Sequence, residues 1–332
     1  MFELVVDGRT ATIDASPGVT ILEAVATESS VALAAPCGGR GRCGKCAVRV
    51  LQPTEGVPTS SADQRFLTAE AIGHGYRLAC TCSASSVQRV EAPTEYRDAT
   101  VKGDLPRFNR PAHPDPAVVD AGPLSAAIDI GTTTVAAFLV ASETGDVIDV
   151  VSEINRQTIY GADVLSRIAY SDAGGLPALT GAIRAQLRSL LRALTDRNDR
   201  SIDEIGTVAV VGNTTMLHLL AGEDPSGIGR APFTPRFIER RRYTGVELDL
   251  LDRETSGVVL LQSVSAYVGA DIIAASIAAE IDTDPRTTLL VDIGTNGEIV
   301  LSHRSRVWAC STAAGPAFEG ASISAGVGGV AG

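Results

Sequence analysis

Three cysteines lie close together in the stretch "CGGRGRCGKC", at Cys37, Cys43 and Cys46, and Cys80 follows 34 positions later. Three near thiolates and one distant thiolate are a ligand set that can hold two irons bridged by two sulfides. Glycines let the loop curl tightly and turn its N–H groups toward the cluster sulfurs; they are Gly38, Gly39, Gly41 and Gly44. The spacing predicts one 2Fe–2S cluster on these four cysteines.

Other uses of the thiols fit the spacing less well. A zinc site prefers paired knuckles, and the second pair would be Cys80 and Cys82, whose C-x-C spacing suits zinc poorly. A disulfide framework is disfavoured in a chain that we expect in the cytosol. Cys82 stays an alternative fourth ligand, because on a predicted strand it points to the same face as Cys80. We expect Cys310 to be a small buried hydrophobe.

The elements around these thiols predict a small mixed domain. Residues 2–14 alternate as two strands about Asp7-Gly8, which is a hairpin signal, and residues 21–30 have helical spacing. Further along come a strand, a helical patch and two strands, at "CAVRVLQ", "SADQRFLTAEAI", "YRLACTCSA" and "VQRVEAP". This order indicates a β-grasp domain, and residues 1–94 resemble the 2Fe–2S ferredoxins of that fold.

A proline-rich stretch separates this domain from the rest of the chain. Six of the sixteen prolines lie between residues 93 and 123. Proline at that density disfavours helices and sheet ladders and is typical of a semi-extended tether. We therefore predict a linker over residues 95–123.

The second half contains an internal repeat. The stretches "AAIDIGTTTVAAFLV" and "LLVDIGTNGEIVLS" share an apolar strand, the letters Asp-Ile-Gly-Thr and another apolar strand, with aspartates at Asp129 and Asp292. A weaker echo joins "YGADVLSRI" to "VGADIIAAS". Duplication of this kind predicts two related α/β lobes over residues 124–332.

Each copy of the repeat has the composition of a phosphate-binding turn. A glycine turn, free N–H groups and hydroxyls can surround phosphate oxygens, while an aspartate holds Mg²⁺ directly or through water. The predicted nucleotide and Mg²⁺ residues are Asp129, Gly131, Thr132, Thr133, Thr134, Asp292, Gly294, Thr295 and Asn296. Local alternatives are a plain turn at residues 132–134, a helix cap at Asn213, Thr214 and Thr215, and simple packing at His218.

The second half resembles the ASKHA superfamily of kinases, heat-shock cognate ATPases and actin, and "VVGNTTMLHLLAG" and "AAGPAFEGASIS" match one branch more closely. With the N-terminal domain, the chain is similar to ASKHA-domain ferredoxins, which include the reductive activators of corrinoid proteins. The resemblance implies ATP-dependent electron transfer to a Co(II) corrinoid protein of a methyltransferase system, an electron donor, and a reductive activase as the enzyme class. The chain ends 40 residues after Asp292, so we expect a C-terminally truncated ASKHA half; the alternative function is a ferredoxin-type carrier whose ATPase half is non-functional.

The predicted fold class is therefore α/β multidomain: a β-grasp ferredoxin domain, a proline-rich linker and a partial, actin-like duplicated domain. The net charge of −11 argues against nucleic acid as a partner, because phosphate binding needs a basic surface. The strand-like alternation of the first ten residues predicts no signal peptide, and no apolar run approaches the length of a membrane span. We expect a cytoplasmic protein without a membrane partner.

Overall fold

A computed structural model describes residues 1–6, 8–28, 33, 35, 37–54, 56–92, 122–281, 283–294, 296–304 and 306–312. The described residues form two compact units. The first unit comprises the chain up to residue 92 together with Arg156–Tyr170, and the second comprises residues 122–155 and 171–312. The predicted linker lies outside the described residues as far as position 121.

The first unit is built on a mixed five-stranded sheet in the order β2-β1-β5-β3-β4. Its strands are β1 (Phe2–Val6), β2 (Arg9–Ile13), β3 (Ala47–Pro53), β4 (Tyr76–Leu78) and β5 (Val87–Glu91). Strands β1 and β5 are parallel, whereas the other neighbours are antiparallel. The predicted hairpin is confirmed, since Phe2 pairs with Ile13 and Val6 with Arg9.

The first unit also contains three α-helices within residues 1–92: α1 (Ile21–Glu28), α2 (Ser61–Phe66) and α3 (Ala69–Gly73). The sequence predicted a single helical patch where α2 and α3 lie. The helix is interrupted there because Leu67 has an extended backbone and the Thr68 side chain caps the next helix. The core is formed by apolar side chains with almost no exposure, including Phe2, Leu4, Ile13, Ile21, Val25, Val48, Leu78 and Val90. This arrangement confirms the β-grasp prediction.

The cysteines after β4 do not lie on a strand. Strand β4 ends at Leu78, and Cys80 and Cys82 follow in a turn. The N–H groups of Thr81 and Cys82 both donate to the Leu78 carbonyl, at 3.0 and 3.1 Å. The expectation that both cysteines face the same side of a strand is therefore wrong, because a tight turn replaces the extended chain.

Residues 156–170 complete the first unit. A 3₁₀ turn, Arg156–Ile159, packs against α1, and helix α4 (Val164–Tyr170) follows it. The rings of Tyr160 and Tyr170 stack with centroids 4.9 Å apart. Close approach is possible because Gly38 has no side chain: a Cβ atom there would overlap the main-chain carbonyl of Tyr160.

The second unit contains a six-stranded sheet in the order β10-β11-β9-β6-β7-β8. Its strands are β6 (Leu124–Ile130), β7 (Thr134–Ala141), β8 (Val147–Ile154), β9 (Ile205–Gly212), β10 (Arg241–Thr244) and β11 (Gly257–Leu260). Strand β9 runs parallel to β6 and β11, and the other pairs are antiparallel. Helix α5 (Leu176–Arg197) packs on β7 and β8 through a helical stripe that includes Leu179, Ile183, Leu187, Leu190 and Leu194.

The remaining elements of this unit are α6 (Thr214–Ala221), α7 (Ala270–Ala278) and the antiparallel sheet of β12 (Thr288–Ile293), β13 (Gly297–His303) and β14 (Arg306–Thr312). The predicted repeat is visible as two hairpins. Asp129 and Asp292 each occupy the penultimate position of the first strand, before a glycine turn and an antiparallel partner strand. Cys310 on β14 is exposed, so the expectation that it is buried is wrong.

Candidate functional site

The four predicted cluster cysteines lie in two pairs within the first unit. The sulfurs of Cys46 and Cys80 are 3.3 Å apart, and both residues are buried. Cys37 and Cys43 are half-buried and hydrogen-bonded to each other through their side chains. A 2Fe–2S cluster takes four cysteine thiolates for two irons, so an arrangement of two pairs suits it.

The same arrangement suits a single metal ion poorly. Among the residues that the structure describes, no group of three or more His, Cys, Asp or Glu side chains is placed to hold one metal ion. Structural zinc is bound by four ligands in one tetrahedron. The donor set therefore fits a cluster with two irons better than zinc.

The loop that carries the first three cysteines depends on left-handed backbone at its glycines, with φ of +65°, +70°, +62° and +71° at Gly38, Gly39, Gly41 and Gly44. Gly44 shows why a larger residue would not fit. A Cβ atom there would lie 2.7 Å from the Cβ of Phe66 on α2. The loop and α2 are therefore packed directly against each other beside Cys43 and Cys46.

Main-chain N–H groups of the loop converge on the first pair of sulfurs. Burial by itself raises the pKa of Cys37, but hydrogen bonds from the Arg42 and Arg40 N–H groups and from the Cys43 thiol bring the pKa below its ordinary value. Burial raises the pKa of Cys43, although the N–H of Lys45 acts in the opposite direction. Such donors stabilise thiolate charge and would do the same for the sulfurs of a bound cluster.

The second pair behaves as one thiol hydrogen-bonded to one thiolate. The hydrogen bond from Cys46 lowers the pKa of Cys80 to about 7, and the N–H of Gly41 acts in the same direction. The same shared hydrogen bond and burial raise the pKa of Cys46. Cys80 is thus the thiol of the pair that ionises first.

Cys82 has different surroundings from Cys80. Its sulfur lies 3.8 Å from the Ser86 hydroxyl and 3.9 Å from the Ser83 carbonyl, and burial raises its pKa. Because the Cys80 sulfur contacts Cys46 instead, this geometry favours Cys80 as the fourth ligand. The ligand assignment itself stays a prediction.

The turn after β6 is held by polar contacts within the second unit. The side-chain amide of the buried Asn155 donates to the Gly131 carbonyl at 2.8 Å, and its main-chain N–H donates to the Thr133 carbonyl at 2.8 Å. Asn213 caps α6 by accepting from the Met216 N–H, as one alternative predicted. Its amide also donates to the Thr132 hydroxyl at 3.0 Å. The cap and the turn are therefore one connected structure.

Four carboxylates of this unit interact electrostatically and form a carboxylate cluster: Asp129, Asp271, Asp292 and Glu298. Burial, together with the charges of Asp271 and Asp292, raises the pKa of Asp129 to about 6. Burial and the same two charges raise the pKa of Glu298 to about 7. Asp292 and Glu298 are directly paired across the β12–β13 hairpin. Asp129 is nevertheless exposed to solvent.

The structure thus places the two predicted aspartates within electrostatic reach of each other. In the second turn the Gly294 N–H donates to the Asn296 carbonyl at 3.2 Å, and Thr295 lies outside the described residues. The sequence analysis did not select Asp271 or Glu298. Asp271 could have been found from the repeated Gly-Ala-Asp, because both copies begin a helix, whereas nothing in the sequence sets Glu298 apart.

His218 takes part in packing, as one alternative predicted. Its Nδ1 lies 2.7 Å from the Thr214 carbonyl, and its Nε2 accepts from the Arg236 N–H at 3.1 Å. Its ring stacks on Phe237 with centroids 4.3 Å apart, and burial lowers its pKa. Both ring nitrogens are thus used internally by a neutral imidazole.

Comparisons with known families agree with both halves of this description. Residues 4–85 match the 2Fe–2S iron–sulfur cluster binding domain, residues 124–284 the RACo middle region, and residues 286–332 the C-terminal ASKHA domain of RACo. The chain therefore contains a 2Fe–2S cluster binding domain followed by the RACo middle and C-terminal ASKHA domains, in a multidomain α/β fold. The domain boundaries predicted at 94 and 123 stay a prediction.

More particularly, the chain is similar to reductive activators of corrinoid proteins. It is 31% identical over 208 residues to the corrinoid activation enzyme RamQ of Eubacterium limosum, covering 62% of this chain and 35% of that protein. It is 25% identical over 214 residues to the [Co(II) methylated amine-specific corrinoid protein] reductase of Methanosarcina barkeri, covering 60% and 38%. A solved reductive activator for corrinoid, iron–sulfur protein matches with 25% identity and a TM-score of 0.58, covering 98% of this chain and 65% of that one. The chain thus matches just over a third of the length of each of these two curated relatives.

None of the helices in the described part of the chain is long and apolar enough to cross a membrane. The expected cytoplasmic location stays a prediction.

Proposed function

We propose that this protein is an ATP-dependent reductive activator that delivers one electron to the Co(II) centre of a corrinoid protein. The observation that carries the proposal is the pairing of Cys37 with Cys43 and of Cys46 with Cys80, beside a loop whose N–H groups face the sulfurs. The relatives named above support the corrinoid partner, because two of them act on corrinoid proteins by name.

The residues proposed to hold the cluster are those four cysteines. When bound, the cluster supplies one-electron chemistry. The protein contributes the thiolates, the N–H donors of Arg40, Gly41, Arg42 and Lys45, and the burial of Cys46 and Cys80. Hydrogen bonds to the sulfurs and limited solvent access are the means by which a protein sets the potential of such a group.

The residues proposed for the nucleotide lie on the repeated hairpins. Mg²⁺ keeps several of its waters and needs only one or two carboxylates, so Asp129 and Asp292 can bind it without forming a complete protein ligand set. The turns Gly131–Thr134 and 294–296 would provide N–H groups and hydroxyls to phosphate oxygens. Asp271 and Glu298 add negative charge that a bound cation would offset.

The test measures reduction of a Co(II) corrinoid protein to Co(I) by the cluster-loaded protein, with and without MgATP. A low-potential chemical reductant in excess supplies the one electron that each turnover consumes. We expect ATP to accelerate reduction, and Asp129→Ala to abolish both the acceleration and the Mg²⁺-dependent nucleotide binding without changing the visible spectrum of the cluster. Asp146→Ala is the matched control, because it removes an exposed carboxylate from the β7–β8 turn of the same sheet.

The alternative function gives a different result. If the intact protein carries a cluster and exchanges electrons but neither binds nucleotide nor responds to ATP, it is a ferredoxin-type carrier with a non-functional ATPase half. If the purified protein holds neither iron nor acid-labile sulfide, both proposals fail.

A further inference from the structure

A buried carboxylate lies beside the turn that carries Cys80. Asp63 on α2 is 1% exposed. One of its oxygens accepts from the Leu78 N–H at 2.7 Å, and the other accepts from the N–H and the hydroxyl of Ser60, each at 2.7 Å. Hydrogen bonds to a carboxylate are charge-assisted and therefore stronger than those between neutral groups.

These bonds connect α2 to the cysteine turn at more than one point. The Leu78 residue that donates to Asp63 is also the acceptor for the N–H groups of Thr81 and Cys82. The Ser60 hydroxyl also lies 3.0 Å from the Thr81 hydroxyl. The segment that presents Cys80 is therefore fixed from both sides by the first residues of α2.

The charge of Asp63 is not neutralised locally. Within the described part of the chain it forms hydrogen bonds to neutral donors and no ion pair. The nearby cation Arg77 donates instead to the carbonyls of Val57, Ile72 and Tyr76.

We propose that Asp63 is a positioning residue for the Cys80 turn whose buried negative charge also lowers the reduction potential of the cluster. This inference rests on the proposed assignment of Cys80 as a ligand. Reduction adds one negative charge to the cluster, and a buried carboxylate nearby opposes that charge because Coulomb energies are large where water is excluded. Hydrogen bonds and net charge around a cluster are known determinants of its potential.

The first test is Asp63→Asn, which keeps the shape of the side chain and removes the charge. We expect the midpoint potential, measured by anaerobic spectroelectrochemical titration of the full chain, to shift to more positive values. Glu70→Gln is the matched control, because it removes an exposed carboxylate from α3 of the same unit. Its shift should be several-fold smaller, because exposed charges are screened by water and salt.

A second variant separates charge from structure. Ser60→Ala removes the hydroxyl donor and keeps the carboxylate, so the charge acts more strongly and the potential should shift to more negative values. Both substitutions loosen the same turn, and a merely structural role predicts shifts of the same sign. The positioning role has its own measurement on the protein without cluster: hydrogen exchange at the Leu78 amide should be faster in Asp63→Asn than in Glu70→Gln.

The outcomes are distinguishable from failure of the proposed function. If the wild type holds no cluster, the ligand assignment fails. If the wild type is loaded and Asp63→Asn shifts no more than Glu70→Gln, or shifts in the same direction as Ser60→Ala, the inference is wrong. If Asp63→Asn does not assemble a cluster, exchange at its Leu78 amide that is faster than in Glu70→Gln supports the positioning role, and an equal rate overturns it. A shift of the potential to more positive values in Ser60→Ala still overturns the role of the charge.

Discussion

Replacing Gly44 by alanine tests whether packing of the cysteine loop against α2 holds the cluster in place. Gly44 has a φ of +71°, and an added Cβ would lie 2.7 Å from the Cβ of Phe66. That atom is fixed by the backbone of α2, so no rotamer change of Phe66 relieves the overlap. Gly8 is the matched control, since its φ is +76° but nothing lies within 4 Å of an added Cβ.

The expected magnitudes follow from these two environments. An alanine in the left-handed region costs roughly 1–2 kcal/mol, and Gly8→Ala should cost only that. Forcing extra volume into a packed contact adds about 1–3 kcal/mol, so Gly44→Ala should cost about 2–5 kcal/mol in total. The difference between the two variants corresponds to about 5- to 150-fold in the population that has lost the native loop.

The assay follows the visible absorption of the cluster during anaerobic urea titration of the full chain, with iron and sulfide measured beforehand. Gly44→Ala should lose the cluster at a clearly lower urea concentration than Gly8→Ala. Equal midpoints for the two variants would refute the reasoning, because they would show that backbone strain alone matters and that the Phe66 contact does not support the loop.

Four substitutions and one change of pH give further expectations. Cys80→Ser should lose iron and acid-labile sulfide while Cys82→Ser keeps them, and full retention in Cys80→Ser would move the fourth ligand. Mg²⁺-dependent nucleotide binding, measured by calorimetry, should weaken as pH falls from about 8 to about 6, because Asp129 and Glu298 take up protons with pKa values of about 6 and about 7; an affinity independent of pH would exclude these groups. Glu298→Gln should flatten the upper part of that pH dependence. Without Mg²⁺, Asp129→Asn should raise the unfolding temperature at pH 8 and leave it unchanged near pH 4, because a carboxylate with a raised pKa destabilises the folded state only when it is ionised; an equal effect at both pH values would contradict this.

The first unit could be predicted largely from the sequence because its signals are local. Alternation about Gly8 gave the hairpin, and helical spacing gave α1. The cysteine spacing gave a candidate cluster site whose sulfurs lie in pairs. The prediction failed where a three-residue strand ends, because alternation between Cys80 and Cys82 is compatible with both a strand and the turn that the structure contains.

The second unit was predictable only where the sequence repeats. Asp129 and Asp292 were found because both stand before a glycine turn, and the two hairpins reproduce that similarity. Glu298 acquires its raised pKa from a cross-strand neighbour and from a helix start, so its role depends on tertiary contacts. The prediction for Cys310 was wrong because the sequence of a strand with a small apolar residue does not show which face of the sheet is buried.

The two candidate sites accommodate negative charge in different ways, and this difference bears on how each one is filled. In the cysteine loop, N–H groups such as those of Gly41 and Arg42 already point at the sulfurs, so thiolate charge is stabilised before any iron is bound. In the carboxylate cluster, the interactions among the described residues that shift the pKa of Asp129 and Glu298 include no positive charge. A bound cation would offset the negative charge of the ionised carboxylates, and for that reason the carboxylate cluster should favour binding of MgATP rather than of ATP alone.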